Sequence, residues 1–300
     1  MQTRSEIQAD VVARILEAME GDLLPWRRSW TISRNSGLAT SLSTGNVYTG
    51  INQLLLMCSA WKYGYESKWW GTFRQIKAMQ GSVLKGQRGT RIVLFKPVKK
   101  TTIDANGDES ESTFAIMKSF VVFNGQQTTL KHLHVDDPDE SSTVFERHEA
   151  AERLIDSVGC TIRTGQQASY CPATDEVTLP AKHRFESPEA YYETAFHELS
   201  HFAESRTGFD RTVPGHSYGF GELVAEISAC TLMAHFGLAT QATNDNSAAY
   251  LKSWIEAIRQ NHSVIFQAAS QSAKTVSFLL NCVDDSGSTA EAQTPAMVAS

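Results

Sequence analysis

Apolar and polar positions alternate at helical spacing over much of this chain and at strand spacing over a few short stretches. A charged amphipathic pattern predicts a helix over 5–20, stopped at Gly21. A loop with Pro25 and a polar run, 33–46, follow, then helical segments at 50–59 and 72–80 and strands near 91–99 and 114–123. Residues 101–112, TTIDANGDESES, are expected to form a flexible hairpin tip, and the acid-rich stretch 131–142 with Asp136, Asp137, Asp139 and Glu140 a linker. Two short strands, 168–171 and 176–179, flank a turn at 172–175. Ser187, Pro188 and Glu189 supply a cap, a proline at the first helical position and an acid in the first turn of a helix that Gly208 would end. A further helix at 218–236 stops before Gly237, and two more follow at 247–259 and 263–280, leaving 284–300 as a disordered tail. The predicted fold is α+β with two domains, 1–130 and 144–283, joined by the linker 131–143.

Composition narrows the class. With 41% apolar residues, 300 positions can build two domains of ordinary size, each with its own core. No apolar run approaches the length needed to span a membrane, and the charged start does not resemble a signal peptide, so a soluble cytoplasmic protein without a membrane partner is expected. Cysteines 58, 160, 171, 230 and 282 are odd in number and form no CxxC pair, which argues against a disulfide framework or a cysteine zinc site.

Charge changes the picture more. The net charge of −6 combines +6 over residues 1–130, from 16 Lys and Arg against 10 acids, with −12 over 131–300, from 11 against 23. Within 24–100, thirteen basic residues face the single Glu66. Such a field is the footprint of a polyanion partner. Aromatic residues concentrate in the same segment, where Trp26, Trp30, Tyr48, Trp61, Tyr63, Tyr65, Trp69, Trp70 and Phe73 interleave with Arg27, Arg28, Arg34, Lys62, Lys68, Arg74 and Lys77. Cations that track phosphates and rings that stack on bases suit single-stranded nucleic acid, and no helix-turn-helix or zinc-finger pattern is present to read a duplex. Arg27, Arg28, Trp69, Trp70, Arg74, Lys85 and Arg88 are the candidate DNA-binding residues; the bland reading makes the tryptophans a small core and the cations a solvated face.

The sharpest chemistry lies at His197-Glu198-Leu199-Ser200-His201, an HExxH pattern. On a helix, residues four apart stand one above the other, so both imidazoles can reach one metal while Glu198 leans over the open position as general base. Zinc is the expected ion, with manganese, cobalt or nickel able to use the same donors. A third ligand is required. Glu222 and Glu226 sit one turn apart on the 218–236 helix, and either could serve. Glu226, deeper in the apolar helix, is the favoured ligand, and Glu222 then supports a ligand histidine through its far nitrogen. His216 competes for the third position, and Tyr218 is a candidate for oxyanion stabilisation or for the core. Glu204 and Thr207 stand where metzincins require glycine and a third histidine, which excludes that subclass. Residues 176–179 are the candidate edge strand for pairing with an extended peptide substrate, a core hairpin being the alternative.

Both halves together resemble the plasmid-borne antirestriction proteins of the ArdC type. The resemblance rests on LLPWRRSW at 23–30, STGNVYTGINQLLL at 43–56, SKWWGTFRQI at 67–76, VLKGQRGTRIVLFKPV at 83–98, FVVFNGQQT at 120–128, and then FHELSHFAES and YGFGELVAEISA. It implies an N-terminal single-stranded-DNA-binding domain shared with conjugation primases and a C-terminal zincin-like metallopeptidase. It further implies a protein that protects incoming DNA from restriction in a recipient cell and acts on a protein or peptide substrate. The alternative is a DNA-binding shield whose metal is structural or vestigial.

Overall fold

The computed structural model describes residues 3–20, 24, 35–103, 109–135, 144–209, 218–238 and 245–291. Helix α1 (Arg4–Met19) begins with a capping box, in which Thr3 and Glu6 satisfy each other's orphan backbone donors. Helix α2 (Ile51–Tyr63) is closed by Gly64, which takes the left-handed conformation that a side chain would strain.

Around α2 lies a four-stranded sheet of β1 (Thr40–Ser41), β2 (Trp69–Gly71), β3 (Thr90–Ile103) and β4 (Glu109–Asn124), in the order β1-β2-β4-β3. Strand β1 pairs parallel to β2 and the other pairs are antiparallel. The β3 and β4 ladder runs unbroken from Thr90 opposite Val122 to Ile103 opposite Glu109. Most of the stretch expected as a hairpin tip is therefore paired strand, since its Thr and Ser residues suit a pleated ribbon as well as a loop. Short helix α3 (Phe73–Ala78) follows β2, and Leu133, in a 3-10 turn at Lys131–Leu133, packs with Ile76 and Leu130. The first residues of the expected linker thus belong to the N-terminal domain, and 136–143 lie outside the described residues.

In the C-terminal half, α4 (Val144–Ser157) leads into a three-stranded sheet of β5 (Thr161–Thr164), β6 (Ser169–Cys171) and β7 (Glu176–Leu179), ordered β5-β7-β6. Strand β7, expected at the edge, is instead central, parallel to β5 and antiparallel to β6. The pattern of β7 had a second explanation: Val177 and Leu179 share the face of the sheet that packs in the core with α5. Four helices complete the fold: α5 (Pro188–Phe202), α6 (Tyr218–His235), α7 (Asp245–Gln260) and α8 (Ser263–Glu291). Helix α8 continues through 284–291, into the region expected as a tail.

One core buries α5: Tyr192, Phe196, Leu199 and Phe202 pack against Leu154 and Ile155 of α4, Val177 and Leu179 of β7, Leu232 and Met233 of α6, and Leu279 of α8. At about 1.5–3 kcal/mol for each fully buried large apolar side chain, Phe196 and Leu199 alone hold the helix firmly in place. The other large core does not respect the two halves. Ile7, Val11 and Ile15 of α1 and Leu54 of α2 share it with Leu223 and Ile227 of α6, Trp254 and Ile258 of α7, and Ile265 of α8. The expectation of a separate core for each domain is corrected accordingly: α1 covers apolar surface of the C-terminal helices as well as its own domain. No helix among the described residues is long and apolar enough to cross a membrane.

Candidate metal centre

Helix α5 starts as its sequence dictates, with the Ser187 hydroxyl accepting from the Ala190 backbone and Pro188 at the first turn. It ends sooner than expected. Ala203 N–H bonds to Leu199, Glu204 N–H to the His201 carbonyl, and a 3-10 turn at Ser205–Thr207 leads to Gly208 with φ of 75°. His201 therefore stands in the last helical turn, and the tightened chain returns the Glu204 side chain to it.

His197 and His201 present their Nε2 atoms to one point, 3.2 Å apart. Glu222, one turn into α6, joins them: its Oε2 lies 3.3 Å from His197 Nε2 and its Oε1 3.4 Å from His201 Nε2. Ligands held tetrahedrally at 2.0–2.1 Å from an ion are about 3.3 Å apart. The His197–His201 edge matches that length and each histidine faces one oxygen of the Glu222 carboxylate, all three donors lying within 4.8 Å of one another, so the group could hold a divalent ion. Glu226, the favoured ligand by sequence, is not part of the group; it is 3% exposed, with Oε1 4.0 Å from Cys230 Sγ. Among the described residues it is the turn bearing Glu222 that stands level with the last turn of α5.

The supporting role expected of Glu222 falls to Glu204. Its Oε1 lies 2.7 Å from His201 Nδ1. A carboxylate can only accept, so Nδ1 carries a proton, and an ion at the centre would displace the second proton, on Nε2, and take its lone pair. Sequence reasoning met Glu204 only as the residue that breaks the metzincin pattern; the signal it could have used is a carboxylate three residues after the second histidine, within reach once the helix tightens.

Electrostatics follow from this packing. Burial opposes a charge on His201, but hydrogen bonds and charge from Glu204 and Glu222 outweigh it and raise its pKa to about 9. Burial likewise opposes the Glu222 carboxylate, yet the two imidazoles hold its pKa well below the usual range. Burial raises the pKa of Glu198, against the attraction of both histidines and a backbone hydrogen bond from Tyr170. Strand β6 is thereby placed at the sheet edge beside Glu198. A latch holds it there. Tyr170 Oη donates to Asp175 Oδ1 at 2.8 Å, Arg206 donates to both Asp175 oxygens at 3.2 and 2.6 Å, and the Arg206 guanidinium lies 3.5 Å from the centroid of the Phe202 ring of α5. Asp175 occupies the left-handed region, φ 57°, which aspartate tolerates better than most residues.

Of the remaining sequence candidates, Arg27, Arg28 and His216 lie outside the described residues, and Tyr218 is described only as the backbone start of α6. Trp70 is 1% exposed, in a core with Leu56, Ile92 and Val122, and has no face free for a base. This is a correction: its partner strand β4 and helix α2 cover both sides of the ring. Trp69 is half-buried, its Nε1–H donating to Asn35 Oδ1 at 2.8 Å and Lys68 Nζ lying over the ring. Arg74, Lys85 and Arg88 are exposed. Tyr63 and Phe73 are exposed rings of the same domain, at 56% and 57%.

An HExxH helix, an acid from the next helix, and a small mixed sheet with its edge at Glu198 define a zincin-like domain, here preceded by an α+β domain. Comparison agrees: residues 149–271 match the zincin-like metallopeptidase family, and residues 5–123 the N-terminal domain of the anti-restriction factor ArdC. Over 293 residues the chain is 32% identical to the uncharacterized protein y4eC of Sinorhizobium fredii, covering 93% of this chain and 92% of that protein. It is 30% identical to the DNA primase TraC of Escherichia coli but spans only 27% of that longer protein. The metal-free crystal structure of the antirestriction ArdC protein from plasmid R388 superposes with a TM-score of 0.77 at 30% identity, over 93% of this chain and 98% of that one. Its Mn(II)-bound form gives 0.72 at 31% identity, over 92% and 97%. The chain belongs to the ArdC antirestriction family.

Proposed function

We propose that this protein binds single-stranded DNA entering a recipient cell during plasmid conjugation and cleaves protein through a zinc-dependent zincin site. The observation that supports the hydrolytic part is the meeting of His197, His201 and Glu222 within the reach of one ion, with Glu198 on the intervening turn. These three residues would hold the ion, Glu204 orienting His201. A bound divalent ion polarises a carbonyl and makes water a better nucleophile at neutral pH. Glu198 accepts the proton from the attacking water at its carboxylate and returns it to the leaving amine nitrogen. Tyr218, at the start of α6, is the candidate for the oxyanion. An extended substrate would pair along the edge strand β6 rather than β7, since among the described residues β6 has a strand on one side only and lies beside Glu198. Zinc is favoured by the two-nitrogen, one-carboxylate set, which also accepts manganese, cobalt or nickel.

Support for the DNA part comes from the ArdC N-terminal domain, the kinship with a DNA primase, and the exposure in that domain of the cations Arg74, Lys85 and Arg88 and of the rings Tyr63 and Phe73. The two activities are tested together in the full chain. Glu198→Ala should abolish hydrolysis of an unstructured protein such as casein while leaving bound metal and affinity for an oligothymidylate as in the wild type. Hydrolysis that survives Glu198→Ala would refute the peptidase assignment, and equal affinity for duplex and single strand would refute the DNA assignment.

A further inference from the structure

A cleft of about 430 Å³ opens where α1 and β3 of the N-terminal domain meet α6 and α8 of the C-terminal domain. That volume lies within the roughly 300–1,000 Å³ usual for small-ligand sites. Its floor is aromatic: Phe209 and Phe220 are buried and stacked, centroids 5.6 Å apart. Its wall carries Phe95, 42% exposed, set edge-on to Phe266. Arg4, the first residue of α1, and Lys274 of α8 supply two exposed cations, and Gln8 and Gln267 also belong to the lining. Among the described residues no carboxylate lines the cleft, although residues 131–300 carry a balance of −12, and neither Arg4 nor Lys274 has an ion-pair partner. Two such cations with no described acid beside them favour an anion. Amides that can read a polar edge, beside a partly exposed ring, select a planar group attached to it.

We infer that this cleft seats one nucleotide, its base against Phe95 and its phosphate between Arg4 and Lys274. None of the residues proposed for the DNA face in the N-terminal domain contributes to it. A nucleotide within a strand and a free nucleoside monophosphate present the same chemistry. In its strand form the inference rests on the proposed single-strand binding; in its free form it does not. Gln271, also in the lining, donates to Thr207 Oγ1 at 2.7 Å, so the cleft adjoins the turn that follows the HExxH helix.

The test uses the full chain with two probes, a labelled oligothymidylate and dTMP, against wild type, Arg4→Gln/Lys274→Gln and Phe95→Ala. All three positions are exposed, and unchanged thermal unfolding confirms intact folds. For the oligonucleotide, loss of one phosphate contact should flatten the slope of log affinity against log salt by about 0.7 in the double variant. Phe95→Ala should weaken binding roughly five- to a hundredfold with the slope unchanged, the signature of a stacked base. If dTMP alone binds wild type and loses affinity in both variants, the free form of the inference holds. Oligothymidylate binding that is identical in all three proteins, with no dTMP binding, would overturn this inference and leave the single-strand reading standing. Failure of wild type to bind the oligonucleotide would overturn that reading, and failure to bind either probe would overturn both.

Discussion

Removing the carboxylate of Glu204 should weaken metal binding although this residue never touches the ion. Its Oε1 accepts from His201 Nδ1 at 2.7 Å, in the range of a charge-assisted bond, and both side chains are about nine-tenths buried. Partners of this kind fix the tautomer and ring angle of a ligand histidine, and their loss typically costs 10–100-fold in metal affinity, about 1.4–2.7 kcal/mol. Glu204→Ala should show that loss. Glu204→Gln keeps the shape and an acceptor oxygen but not the charge, so its loss should be smaller, about tenfold or less. Competition of the full chain against a chromophoric zinc chelator gives the affinities. Thermal unfolding of the metal-free proteins shows whether the fold is intact, since Glu204 also closes α5 through its backbone, which neither substitution alters. Affinities of both variants equal to wild type would refute the claim that Glu204 sets the His201 tautomer.

The two candidate acids separate in the same assay: Glu222→Gln should lose metal by at least 100-fold, and Glu226→Gln should hold it within a few-fold, the reverse pattern restoring the sequence-based choice. The latch between Asp175 and Arg206 has a pH signature. Hydrogen bonds from Arg206 and then Tyr170 lower the Asp175 pKa, so its contribution is present above the ordinary carboxylate range and is lost as pH falls through the lowered value. Asp175→Asn should therefore narrow the difference in melting temperature between neutral pH and about pH 3; an unchanged difference would show that the latch is idle. Trp70→Ala should destabilise the fold by about 3–5 kcal/mol, as for a fully buried aromatic, whereas Arg74→Gln with Arg88→Gln should leave melting intact and flatten the salt dependence of oligothymidylate binding; a stable Trp70→Ala protein with a specific loss of DNA affinity would return that ring to the DNA face.

What the sequence disclosed followed local rules. Ser187 and Pro188 start the motif helix because caps act within one turn, whereas Gly208 closes the 3-10 turn that follows it, and HExxH is legible because its geometry lies inside a single helix. Long-range choices were not legible. Glu222 and Glu226 have the same spacing and side chain, and the difference between them is where α6 crosses α5. The central place of β7 depends on β5 pairing parallel to it, across an interval with no hairpin signal. Trp69 and Trp70 are consecutive on a strand, so they point to opposite faces, and composition alone could not say which face was covered. The core shared by α1 with α7 and α8 joins residues more than two hundred positions apart and leaves no local mark.

Metal content by elemental analysis of the purified full chain tests the central claim most directly. Wild type and Glu198→Ala should each carry about one divalent ion per chain, because Glu198 lies beside the donor set without belonging to it. His197→Ala and His201→Ala should carry essentially none while remaining folded. Retention of the ion in both histidine variants would contradict the site.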